Sequence, residues 1–178
     1  MPPRPLALLR VLLLAALLAA PTVRAAESLH DLPYRWVDDK GQSVQLQHWH
    51  GRPAILTMEF SNCTFVCSIT LKRLQDLQAA MDRRGKQLDI IVVSIDPKND
   101  TPASWTAYRR ARGLDRPNWI FLTGKEADTA RLARLVGIAY WYYDEHLMHD
   151  FKLVRIDPDG RIRKMLDTFD GKLETLLE

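Results

Sequence analysis

Apolar residues follow two rhythms along this chain. Pro53 to Phe60 (PAILTMEF) and Leu88 to Ile95 (LDIIVVSI) are nearly continuous apolar runs. The second is rich in β-branched residues and reads as a strand buried on both faces of a sheet. The first, bounded by Gly51-Arg52, reads as its partner. Between them Val66, Ile69, Leu74, Leu77, Ala80 and Met81 recur at helical spacing, and Gly85 stands where a helix stops. Thr101-Pro102 supplies an N-cap and first-turn proline for a helix running to about Arg112 and closed by Gly113. Trp119 to Leu122 is a short strand, Glu126 to Val136 a helix ended by Gly137, and Ile138 to Tyr143 a further strand.

Turn chemistry marks two hairpins. Asp38-Asp39-Lys40-Gly41 separates Tyr34–Val37 from Ser43–Leu46, with Gly41 at a left-handed position. Asp157-Pro158-Asp159-Gly160 separates Asp150–Ile156 from Arg161–Leu166. Lys172 to Glu178 reads as a terminal helix. The order predicts an α/β domain: a mixed central sheet flanked by helices, with an N-terminal hairpin. Chemistry in such sheets gathers at the carboxyl ends of the central strands, so the segments after Phe60 and after Ile95 are expected side by side.

The first residues do not belong to that domain. Arg4 and Arg10 precede the apolar core Val11–Ala20, and Val23-Arg24-Ala25 resembles a cleavage site. Residues 1–25 are therefore expected to be a secretory signal, leaving a single domain over residues 26–178. A ten-residue apolar core is short for a membrane span; an uncleaved anchor is the alternative, and the only expected route to membrane contact. Formal net charge is +3. Without Arg4, Arg10 and Arg24 the domain carries equal numbers of basic and acidic side chains, so charge gives no case for a nucleic-acid partner. Export implies an oxidising compartment, the periplasm, where a pair of thiols must be oxidised, metal-bound or actively kept reduced.

The chain has two cysteines, Cys63 and Cys67, at the junction of the first buried strand and the first helix. A helix N-terminus favours a thiolate. Residues four apart there can lie about 4.4–6.8 Å apart at Cα, the disulfide range, and the same closeness suits two thiolates on one soft metal ion. As a staple the pair would be weak, since so short a loop constrains the unfolded chain by only about 2 kcal/mol. Further soft donors are His146, Met148 and His149, before the last hairpin. Two thiolates and an imidazole suit copper, whereas zinc normally wants a fourth ligand. Spacing alone does not choose among these donors. His48 and His50 read as a surface pair beside Trp49.

Four patterns together resemble the Sco/SenC family of thioredoxin-like copper proteins. They are C-x-x-x-C after a strand (Cys63 to Cys67), and D-P-x-x-D-T-P after the next (Asp96 to Pro102). Leu122-Thr123-Gly124 follows a short strand, and a histidine, His149, stands nine residues before Pro158. The resemblance implies a thioredoxin-like fold, with Cys63, Cys67 and His149 as copper ligands and Asp96 and Asp100 as supporting or capping residues. It also implies delivery of Cu(I) or Cu(II) to the CuA centre of cytochrome c oxidase, with an oxidase subunit or another copper acceptor as partner and a reductant protein to keep the thiols loaded. Two departures stand out. Thr64 and Ser68 replace the prolines usual after each cysteine, which restores backbone N–H groups near the thiols. Met148 and Asp150 flank the histidine where aspartate and serine are common; Met148 is a possible extra thioether ligand.

A second function class fits the same pair. A thiol–disulfide oxidoreductase would use Cys63 and Cys67 as catalytic redox partners, one attacking a disulfide and the other resolving the mixed intermediate. Thioredoxin-like redox centres usually carry C-x-x-C, which favours the copper reading. A peroxidase is weaker still, with no evident arginine for the peroxide. The aromatic run Tyr140–Tyr143 is expected to be a half-buried strand rather than a docking surface.

Overall fold

The computed structural model describes residues 28–62 and 67–178, with backbone only for Cys67 and Ser68. The proposed signal, residues 1–25, and Cys63 lie outside the described residues.

Seven strands form one sheet: β1 (Trp36–Asp38), β2 (Ser43–Val44), β3 (Ala54–Glu59), β4 (Asp89–Ser94), β5 (Trp119–Thr123), β8 (Leu153–Ile156) and β9 (Ile162–Leu166), in the order β2-β1-β5-β4-β3-β8-β9. β3, β4 and β5 run parallel, and the outer strands pair antiparallel. The mixed sheet predicted from the strand order is therefore present, with the apolar runs at its centre. Three helices cover it: α1 (Cys67–Arg83), α2 (Pro102–Arg112) and α3 (Glu126–Val136). Among the described residues no helix is long and apolar enough to cross a membrane.

Strand alternation divides the core between the two faces. Leu56, Met58, Ile91 and Val93 pack on the face covered by Leu132, Ala133 and Val136 of α3. Ile55, Ile90 and Val92 pack on the face covered by Leu74, Leu77 and Met81 of α1 and Trp105 of α2. Thr57 and Glu59 have the same parity as Ile55 and so belong to the α1–α2 face. Thr57 is satisfied there by donating to the Lys152 carbonyl at 2.7 Å.

Local signals acted where expected. The Thr101 side chain accepts the Ser104 N–H while Ser104 Oγ accepts from the Thr101 N–H, a full capping box ahead of Pro102. Gly41 takes φ +81° in the first hairpin.

Two expectations need correction. Lys172–Glu178 is not an α-helix; Leu173–Leu177 forms a 3-10 turn whose leucines are buried. Tyr140–Tyr143 is a strand, β6, but an exposed one, with Tyr142 and Tyr143 66% and 67% accessible. The cause is its partner. β6 pairs only with β7 (His146–His149), in a separate two-stranded hairpin outside the main sheet. That second strand, carrying the candidate donors, has no counterpart among the elements expected from the sequence.

Candidate metal centre

β3 ends at Glu59, and the backbone stays tied to β4 just beyond, where the Ile95 N–H donates to the Glu59 carbonyl at 2.9 Å. The two loops after these central strands lie side by side, as expected. Their link is Asp100. One of its oxygens accepts the Ser61 backbone N–H at 2.9 Å and the other accepts the Ser94 hydroxyl at 2.5 Å. Ser94 Oγ in turn accepts the Asp96 N–H. Asp100 is thus buried and bridges both loops rather than merely preceding a helix. Burial raises its pKa, and the hydrogen bonds from Ser61 and Ser94 only partly oppose that. Because Ser61 stands two residues before Cys63, Asp100 fixes where the dithiol segment departs. Cys67 opens α1, in the first helical turn as expected.

β7 delivers the histidine. Its residues alternate, so His149 and Leu147 share one face while His146 and Met148 share the other. His149 is 7% accessible; His146 is exposed. Met148 pairs across the hairpin with Trp141 and lies on the face away from His149, which argues against its thioether joining the same site. The hairpin is closed at its base by Asp150: its N–H donates to the Ala139 carbonyl, and its carboxylate accepts the Ala139 N–H at 3.0 Å. Asp150, one of the two departures beside the histidine, therefore has a structural task.

The imidazole is set by three neighbours. Its Nδ1 lies 3.0 Å from the Asp150 carbonyl oxygen. A carbonyl only accepts, so Nδ1 carries a proton and Nε2 is the ring nitrogen left to meet a further partner. The ring packs edge-on against Phe60, centroids 6.0 Å apart at 81°. Nε2 faces the Glu59 Oε2 at 3.5 Å, beyond hydrogen-bond distance. Nε2 and both Glu59 oxygens are buried without a hydrogen-bond partner among the described residues.

Glu59 was missed by sequence reasoning because it hides inside an apolar run. The available signal was an acid at the end of a strand whose other residues are nearly all apolar. Burial pushes its pKa up; the His149 imidazole, the Thr70 hydroxyl and the Arg112 guanidinium oppose the rise less strongly. Thr70 Oγ1 makes no hydrogen bond of proper geometry and is itself unpartnered. Tyr108 sits on the same side, its pKa pushed up to about 12 by burial and then by the Glu59 charge. Arg112 covers the Tyr108 ring at 4.6 Å. A shallow hollow beside them is lined by Ser61, Asn62, Asn99, Ser104, Tyr108 and Arg112.

The described residues thus place His149 against the end of β3, four residues ahead of Cys63. They hold no group of three or more His, Cys, Asp or Glu side chains suited to a metal; His149 and Glu59 are the described part of the candidate centre. His48 and His50 are exposed beside buried Trp49, as expected of a surface pair.

A family model described as SCO1/SenC matches residues 23–178. A SCO1 protein homolog of Bacillus subtilis (strain 168) is 26% identical over 136 residues, 74% of this chain and 70% of its own length. ScoI of Arabidopsis thaliana, solved with copper bound, superposes with a TM-score of 0.70 at 21% identity, over 82% of this chain and 91% of its own. BsSco, described by a disulfide switch and as a member of the Sco family of cytochrome c oxidase assembly proteins, gives 0.74 at 21% identity, over 86% and 92%. The sheet and its flanking helices have the thioredoxin-like fold of these structures. With the family model spanning nearly every residue from the N-terminal hairpin to the last turn, the chain belongs to the SCO1/SenC family.

Proposed function

We propose that this chain is an exported copper-binding protein that holds its cargo through Cys63, Cys67 and His149 and passes it to a copper-accepting protein, the CuA centre of cytochrome c oxidase being the acceptor the family suggests. The observation that carries this reading is the state of His149. A buried imidazole held by Nδ1 on a backbone carbonyl, with no hydrogen-bond partner for Nε2 among the described residues, supports a ligand's role over that of a solvated surface group. The copper bound to the Arabidopsis relative supports the choice of metal. Two thiolates and an imidazole form a soft donor set suited to copper. Residues 1–25 are the export signal in this reading, and the periplasm the compartment.

The chemistry of the chain's own residues is then simple. The backbone of Cys67 opens α1, which puts that residue at a helix N-terminus. Asp100 holds Ser61, which sets the path of the segment bearing Cys63. Asp150 orients the imidazole. Replacing His149 by Ala should lower copper affinity at least about a hundredfold, at or beyond the upper end of what loss of an outer-shell partner costs. Affinity is read by chelator competition on the reduced protein. Unchanged affinity overturns the assignment.

The disulfide switch described for BsSco favours keeping a second reading. In it one thiolate displaces a thiolate from a partner disulfide, and the second then displaces the partner. The pair ends oxidised and the partner reduced. His149→Ala leaves this exchange rate nearly unchanged, which separates the two readings.

A further inference from the structure

Glu59 has no task in the three-ligand reading, yet its surroundings are unusual. It is 3% accessible, and among the described residues neither of its oxygens has a donor. An ionised carboxylate in such a place is very costly unless a cation meets it. Thr57, two residues earlier on the same face, shows that this strand can satisfy a buried polar group with a backbone carbonyl. Glu59 faces His149 Nε2 at 3.5 Å, a nitrogen that also has no hydrogen-bond partner among the described residues. Two donors on one tetrahedral metal, with bonds of about 2.0–2.2 Å, lie roughly 3.4 Å apart. The observed separation therefore suits a shared ion.

We propose that Glu59 is a fourth metal donor, making the centre a two-thiolate, imidazole and carboxylate site that accepts divalent ions. The inference rests on the copper-site reading above and adds a residue to it. Charge decides the selectivity. Two thiolates and a carboxylate around a divalent ion leave one net negative charge, and around Cu(I) they leave two. In a buried site the extra charge is the more costly, so Glu59 favours Cu(II) over Cu(I). A fourth donor also supplies what zinc lacks in a three-ligand set. The oxygen is a hard donor beside soft sulfurs, which moves the site towards divalent ions in the same sense.

The test uses reduced, metal-free protein, with Co(II) as the divalent probe because it does not oxidise thiols, and Cu(I) in competition with a chelator. The variants are Glu59→Gln, Glu59→Asp and His149→Ala, with thermal melting of each metal-free form as a check of folding. Glu59→Gln should weaken Co(II) at least about tenfold and shift its visible spectrum, while Cu(I) weakens less than about threefold. Glu59→Asp, which shortens the reach by one methylene, should fall between wild type and Gln for Co(II). If Glu59→Gln leaves the Co(II) affinity and spectrum as in wild type, or weakens both metals equally, Glu59 is not a divalent-selective donor and the proposal is overturned. That failure differs from failure of the copper reading itself, in which His149→Ala also leaves Cu(I) affinity unchanged.

Discussion

Two buried carboxylates in this molecule have opposite environments. Asp157, in the turn between β8 and β9, is 7% accessible. One of its oxygens accepts the N–H groups of Asp159 and Arg161 at 3.0 and 2.8 Å, and the other accepts Arg163 Nε at 2.6 Å. Burial alone would raise its pKa, yet these bonds and the Arg163 charge hold it below the ordinary value of 3.8. Glu59 is buried to a similar degree with no donor among the described residues, and its pKa is raised. Asp100 lies between, with two bonds that do not fully compensate its burial. Burial is therefore not what marks the candidate centre. A carboxylate that the backbone has satisfied holds a turn, and one without a donor among the described residues, beside an imidazole nitrogen, is available to a cation.

The largest effect expected on the fold comes from Asp157. Asp157→Ala strands two backbone N–H groups in a closed turn and should cost roughly 3 kcal/mol in urea unfolding, with copper affinity unaltered. Asp100→Ala should cost less in stability, about 1–3 kcal/mol. Because it releases Ser61, it should also weaken copper binding about tenfold. An Asp100→Ala protein with intact affinity would mean that the segment bearing Cys63 needs no such tether.

Glu59→Gln should have the smallest effect and the opposite sign. In metal-free protein at neutral pH it should stabilise modestly, since the amide cannot ionise in a buried place that penalises the charged form. The two carboxylates also predict opposite pH slopes. Above pH 4.5 the unfolded chain releases the Glu59 proton while the native state keeps it. Its contribution to stability therefore declines as pH rises from 4.5 through the folded value, and Glu59→Gln should flatten that decline. Asp157 contributes above pH 3.8 and loses that contribution as pH falls through its lower folded value. Urea midpoints across this range, wild type against each variant, measure both slopes.

Much of the fold was legible because its signals are local. Thr101-Pro102 starts α2, the Asp157–Gly160 turn joins β8 to β9, and the apolar runs became β3 and β4. The β6–β7 hairpin was only half legible. Its two-residue loop is Asp144-Glu145, with Asp144 at φ +51°, in place of the glycine or asparagine that announces such turns. Its aromatic strand resembled a buried one by composition, and exposure depends on a partner strand that composition does not reveal. His149 was reached through family resemblance, since nothing in its spacing separates it from His146. Glu59 needed three dimensions, because an acid in an apolar strand does not disclose what its carboxylate meets.

The pairing of Tyr140 with His149 keeps count as well as holding the hairpin together. A slip of one residue between these strands would turn His149 outward and bring Met148 inward, exchanging a nitrogen donor for a thioether sulfur. The double clasp between Asp150 and Ala139 at the hairpin base guards against that slip, so in the proposed site the choice of donor would depend on strand alignment as much as on residue identity.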